Sequence, residues 1–259
     1  MLAVSNYDTD ARVADLPRVG DYLNIDWERL AQLESGTLLM QQNDPAVNER
    51  AEELGVRVKT VPIHTLADIE DAVITCLAAL VADATFAHDR DSSVQVSKRT
   101  SDWIFALRCL RNAEFSSRVP TLLVCGDRSL CAGRGTYLDE LLTLAGGVNV
   151  LAGEGYLEPD DERVAVLAPE VILVLLPEGD AAAVRGRWER FGARVEIIER
   201  ADALVPGWNV VEIGEAMRAV LVERRPEGAL RGSGRTDPRL RGLSLRLQGH
   251  GLRLQGVVS

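Results

Sequence analysis

The chain has 259 residues, 46% of them hydrophobic, and a formal net charge of -10. That apolar content suffices for one large α/β core or for two lobes of roughly 100 residues each. The acid excess opposes attraction to a phosphate backbone, which clustered Lys and Arg normally grip, and so argues against a nucleic-acid partner.

Residues 1–4 carry neither the basic region nor the apolar run of a secretory signal. The apolar stretches 73–81 and 171–176 are too short or too interrupted to span a bilayer, which takes about 20 apolar residues. Cys76, Cys109, Cys125 and Cys131 contain no C-x-x-C pair, and His64, His88 and His250 are scattered. Zinc-ligand spacing is therefore missing, and the cysteines read as small buried apolar residues.

In chain order, a helix is expected to start near residue 25, where Asp26 and Glu28 suit the positive end of the helix dipole and Leu30 and Leu33 form the inward stripe. Residues 37–40 read as the strand after it. A helix over 45–54, closed by Gly55, precedes a strand over 56–61. Residues 92–112 place Trp103, Ala106, Leu107 and Leu110 at helical spacing and predict one long connecting helix, despite the poor helix formers Ser92-Ser93 and Thr100-Ser101.

Residues 121–125, 171–176 and 194–198 are strand candidates, and a helix over 137–144 stops at Gly146-Gly147. This alternation predicts an α/β chain with mainly parallel sheets covered by helices. The expected organisation is an amino-terminal lobe at 1–88, a connecting helix within 89–117, a second lobe at 118–223 and a tail at 224–259. In that tail Gly and Arg dominate and Leu-Arg-Leu-Gln-Gly occurs at 245–249 and 252–256, a composition expected to be disordered.

The chain also matches itself at an offset of 134 residues. Positions 22–33 and 156–167 are identical at seven of twelve places, including Tyr22 with Tyr156, Asp26 with Asp160, and Glu28-Arg29 with Glu162-Arg163. Each copy is an aromatic loop, a helix and a strand, which implies two similarly built halves. Pro159 is expected at the first helical position of the second copy. Dipole complementarity tolerates Asp or Glu anywhere in the first turn, so the same Glu-Arg pair at the same phase in both halves suggests a second use for Glu28 and Glu162.

Taken in order, Val4-Ser5-Asn6-Tyr7-Asp8, Val19-Gly20-Asp21-Tyr22, Asp26-Trp27-Glu28-Arg29-Leu30 and Leu144-Ala145-Gly146-Gly147-Val148-Asn149-Val150 resemble the cobalamin and iron-chelate family of periplasmic binding proteins over residues 2–222. The resemblance implies two α/β lobes bridged by one long helix, and a monomeric, non-catalytic, extracytoplasmic carrier without a cofactor of its own. Such a carrier captures a metal chelate (cobalamin, haem or an iron-siderophore) between its lobes and delivers it to an ABC permease. It further implies that Glu28 and Glu162 meet permease arginines.

Relative to the family, the chain begins where a second strand would stand, so the first strand and the export signal are expected to be lacking. Leu33-Glu34-Ser35-Gly36-Thr37 also replaces the usual Lys-Pro-Asp turn, whereas Ala168-Pro169-Glu170 keeps its form.

The same resemblance places Tyr7, Tyr22 and Tyr156 where aromatics face the ligand, Asp202 and Trp208 in the last cleft loop, and Gln41 and Gln42 after the first-lobe strand. Arg128 and Arg134 follow the 121–125 strand, where they can pair with acidic groups of a siderophore or with haem propionates. Each has a plainer reading: a lone loop tyrosine packs or faces water, and Trp208 can anchor the last helix.

The run Ala132-Gly133-Arg134-Gly135-Thr136-Tyr137 lacks the third glycine of a dinucleotide loop. Two other functions stay open: a cytosolic two-lobed reductase or chelatase-like enzyme, although no nucleophile has a plausible His partner, and a binding module that senses without transport.

Overall fold

The computed structural model describes residues 4–5, 14–21, 24–33, 36–82 and 90–223, with the side chains of 77–82, 90–97 and 223 left aside. Tyr7, Tyr22, His88 and the 224–259 tail lie outside the described residues. The elements are α1 (Trp27–Gln32), β1 (Thr37–Met40), α2 (Pro45–Glu53), β2 (Arg57–Thr60), α3 (Leu66–Ala82), α4 (Arg90–Arg111), β3 (Val119–Cys125) and β4 (Cys131–Ala132). They continue with α5 (Tyr137–Leu144), β5 (Gly147–Asn149), β6 (Tyr156–Leu157), α6 (Asp161–Leu167), β7 (Val171–Leu176), α7 (Ala181–Glu189), β8 (Arg194–Glu199) and α8 (Val210–Arg218), which runs into a π-helical turn at Ala219–Glu223.

β1 and β2 form a parallel pair with Thr37 opposite Arg57, joined through α2. The second sheet has the order β6-β4-β3-β7-β8, with β5 also on β3. Its β3, β5, β7 and β8 pairings are parallel, whereas β4 is antiparallel to both β3 and β6. The continuous apolar run of β7 follows from its position, since a central parallel strand is covered on both faces. Val171, Leu173 and Leu175 turn into a core with Leu107, Leu110, Leu141 and Ile213, and Ile172, Val174 and Leu176 into a second with Val164, Val184 and Trp188.

The connecting helix α4 has 22 residues, about 33 Å at 1.5 Å per residue. Its Trp103, Leu107 and Leu110 are buried in the core of the larger sheet. α8 crosses it so closely that a methyl group at Gly214 would stand 2.5 Å from Leu110 Cδ2 and 2.7 Å from Leu141 Cδ1.

α3 joins the same core through Leu66, Ile69 and Val73. Its start is capped from two directions. Thr65 Oγ accepts the Asp68 N–H at 3.1 Å while the Asp68 carboxylate accepts the Thr65 N–H at 2.9 Å, a reciprocal box. Glu140 Oε2, on α5, accepts the Leu66 N–H at 2.7 Å.

The structure departs from the sequence reading at several points. α1 and α6 start at residues 27 and 161, two later than expected, because Asp26 and Asp160 act as caps; Pro159 therefore precedes the cap instead of opening the helix. Cys125 and Cys131 are buried, as small apolar residues should be, but Cys109 is exposed on the outer face of α4.

Candidate functional site

In an open, mostly parallel sheet, ligands bind in the crevice outside the carboxyl ends of the strands. At that end of the larger sheet, β8 gives way to a loop over 200–209 that is tied down at each turn. Arg200 grips the Asp202 carboxylate in a two-pronged pair, Nε to Oδ1 at 2.8 Å and Nη2 to Oδ2 at 2.9 Å, and reaches Glu212 Oε2 of α8 at 2.7 Å. The Arg200 hydrogen bonds hold the Asp202 carboxyl below the usual carboxylate range, and the guanidinium in turn holds its proton more firmly than usual.

Three side chains then fix the loop backbone. The amide of Asn209 donates to the Asp202 carbonyl. Tyr137 Oη, from α5, donates to the Leu204 carbonyl at 2.9 Å, and Trp103 Nε1, from α4, donates to the Trp208 carbonyl at 2.8 Å.

Trp208 is 39% exposed. One edge meets the Trp103 ring, with centroids 5.7 Å apart at 66°, and the guanidinium of Arg99 stands 5.8 Å from its centroid. Arg99 and Trp103 are four residues apart on α4, so one helix face seats the tryptophan at two successive turns.

Tyr156, in β6 opposite Ala132, is 48% exposed. Burial raises the Tyr137 hydroxyl far above its ordinary pKa, and Tyr156 and Cys125 nearby add to the shift. Of the sequence-predicted ligand residues, Asp202 and Trp208 share the loop that Tyr137 holds through the Leu204 carbonyl, and Tyr156 stands on β6.

The remaining described candidates stand on loops of their own. Gln41 and Gln42 are exposed in the bend after β1, and Arg128 is exposed in the turn from β3 to β4. Arg134 is exposed while its backbone pairs with Gly153 and Gly155, its N–H to the Gly153 carbonyl at 2.8 Å and its carbonyl accepting the Gly155 N–H at 2.9 Å.

The glycine-rich run around it is a tight backbone crossing. A Cβ on Gly133 would lie 2.3 Å from the Gly153 oxygen and 2.8 Å from that of Gly155. Thr136 ends the run by capping α5, its Oγ accepting the Asp139 N–H at 3.2 Å.

The two repeats share their helix-start hydrogen bond, although the capping residues differ in backbone angle, with ψ of 85° at Asp26 and 169° at Asp160. Asp26 accepts the Arg29 N–H at 2.9 Å, and Asp160 accepts the Arg163 N–H at 2.7 Å. In each helix the capping acid is Asp, the second helical residue is an exposed glutamate, Glu28 or Glu162, and the fourth is buried, Leu30 at 3% and Val164 at 1%. Since the aspartates do the capping, both glutamates are left pointing outward from matched helix starts.

Sequence reasoning passed over Trp103 and Tyr137 as partners of the loop, and over Arg99 and Arg200 altogether. The i, i+4 spacing of Arg99 and Trp103 and the Arg200-Ala201-Asp202 alternation were present as signals, but only folding supplies their partners.

Among the described residues no helix is long and apolar enough to cross a membrane, and no group of three or more His, Cys, Asp or Glu is placed to hold a metal ion. No protein-family model and no curated protein sequence matches the chain. Solved structures do. An ABC transporter substrate-binding protein from Listeria monocytogenes superposes with a TM-score of 0.63 at 18% identity, covering 85% of this chain and 90% of its own.

A periplasmic haem-binding protein of Vibrio cholerae gives 0.65 at 16%, covering 85% and 89%. The periplasmic vitamin B12-binding protein of the same organism gives 0.60 at 18%, covering 84% and 86%. The chain therefore has the two-lobed α/β fold of class III periplasmic binding proteins.

Proposed function

We propose that the protein is the non-catalytic solute-binding component of an ABC importer, working outside the cytoplasm. It captures a bulky metal chelate against the loops at the carboxyl ends of its strands and hands it to a membrane permease. The observation that carries this reading is the fold, shared over most of the chain with binding proteins of such importers, among them haem and vitamin B12 binders.

Two features of this chain agree with it. The loop after β8 presents a partly exposed Trp208 on a backbone anchored by Trp103 and Tyr137, which suits a ligand with a large flat apolar face. The exposed Glu28 and Glu162, at equivalent places in two equivalent helices, suit a permease with paired basic residues, since complementary charge governs encounter and orientation.

Titration with haemin, cyanocobalamin and a ferric siderophore tests the reading. At least one should saturably quench the tryptophan emission, with Trp208→Phe losing most of the response. Absence of a response to all three would overturn it.

A further inference from the structure

We propose that the edge of β1 facing away from β2 is an interaction surface whose occupant is the same edge of a second copy of this chain, in place of the monomer that the resemblance implies. The proposal is independent of the chelate-binding reading. Among the described residues β1 pairs with β2 alone. The 134-residue offset carries residues 37–40 onto 171–174, the start of β7, which lies between β3 and β8. β2 stands to β1 as β8 stands to β7, with Arg57 opposite Thr37 and Arg194 opposite Val171. The place equivalent to that of β3 is therefore the other edge of β1.

β3 gives the chemistry of that place. Its Thr121-Leu122-Leu123-Val124 lies against residues 171–174, and β1 itself reads Thr37-Leu38-Leu39-Met40, identical at three of the four positions. A second copy thus brings the kind of strand that the equivalent edge takes. The Gly36 and Met40 carbonyls accept from β2, so by alternation along the strand the backbone of Leu39 turns to the open edge. Its side chain is 48% exposed.

Edge strands escape such pairing when they are very short or charged. β6 has two residues, β2 carries Arg57 and Lys59, and β8 carries Arg194, Glu196 and Glu199, whereas β1 has no charge. A two-fold axis pairs the two β1 strands antiparallel, in the order β2-β1-β1-β2. The basic β2 strands then stand about 14 Å apart, beyond the screening length of about 8 Å at physiological salt, so their like charge does not oppose the contact. A four-residue edge is small, and the dimer belongs to the weak, concentration-dependent class.

Sedimentation velocity of the full chain, from about 10 μM to about 1 mM, tests this. The unaltered protein should move from monomer towards dimer across that range. Leu39→Pro, which removes the outward N–H, and Leu39→Lys, which keeps every backbone group of β1 and adds a charge, should both stay monomeric with an unchanged circular dichroism spectrum. Val166→Lys, at an apolar position 76% exposed on α6, should associate as the unaltered protein does.

A monomer at every concentration would overturn the proposal, as would undiminished association in folded Leu39→Lys, or an equal loss in Val166→Lys. A monomer that binds a synthetic peptide of residues 119–125, and loses it in Leu39→Pro, would instead assign the edge to a strand from another protein and overturn the second copy as occupant.

Discussion

Trp103 donates its indole N–H to the carbonyl of Trp208, 105 residues further along the chain, at 2.8 Å. The bond fastens the loop after the last strand to the connecting helix, and the edge contact of the two rings reinforces it.

Trp103→Phe keeps an aromatic in the core but leaves the Trp208 carbonyl without this donor. The expected loss is about 1–3 kcal/mol, the sum of a net hydrogen bond and reduced packing. Urea unfolding followed by circular dichroism would show it as a lower midpoint with an unchanged slope.

Gly214→Ala sets two effects against each other. Alanine favours a helix interior by about 1 kcal/mol over glycine, but its methyl group would stand 2.5 Å from Leu110 Cδ2 and 2.7 Å from Leu141 Cδ1. Overpacking of this kind costs about 1–3 kcal/mol, so the variant should be net destabilised; combined with Leu110→Ala, which removes the nearer clash, the total loss should be smaller than the sum of the two single losses.

The repeated helix starts separate capping from docking. Asp160→Ala removes the acceptor of the Arg163 N–H and should cost about 1 kcal/mol, whereas Glu162→Ala, at an exposed position, should stay within about 0.5 kcal/mol. Charge reversal at Glu28 and Glu162 together should reduce uptake in cells severalfold with ligand affinity in solution unchanged. Parallel loss of both would assign the glutamates to the fold or the binding surface.

Asp202 and Asp68 both have carboxyls held below their ordinary range, Asp202 chiefly by Arg200 and Asp68 chiefly by the Thr65 N–H. A depressed folded-state pKa gives stability that is fully present above the unfolded value and is lost as pH falls through the folded one. Asp202→Asn should therefore be less stable than the unaltered protein at neutral pH. The gap should narrow on acidification below about pH 4, near the unfolded carboxylate value, and urea midpoints across pH 2–7 would record it.

Glu140→Ala should fray the start of α3. Its carboxylate accepts the Leu66 N–H from another helix at 2.7 Å, and removing a helix-start acceptor costs about 1 kcal/mol. Amide exchange at Leu66 should accelerate in this variant while the Thr65 N–H, held by Asp68 at 2.9 Å, stays protected.

Local pattern by itself determined much of this protein. Strands β1 and β7 and helix α5 lie at the predicted residues, and α2 ends ahead of Gly55, whose φ is +68°. The 134-residue repeat announced two helices that each start on an aspartate accepting the N–H three residues on. These features rest on side-chain period, capping and glycine conformation, all of which act within a few residues.

Only tertiary structure decided what those elements meet. The burial of α3 against the larger sheet, the seating of Trp208 on Arg99 and Trp103, and the capture of Asp202 by Arg200 each depend on side chains brought together by packing. A hydrogen bond between residues 105 apart leaves no periodic mark in the chain, because its partners are chosen by the geometry of the core between them.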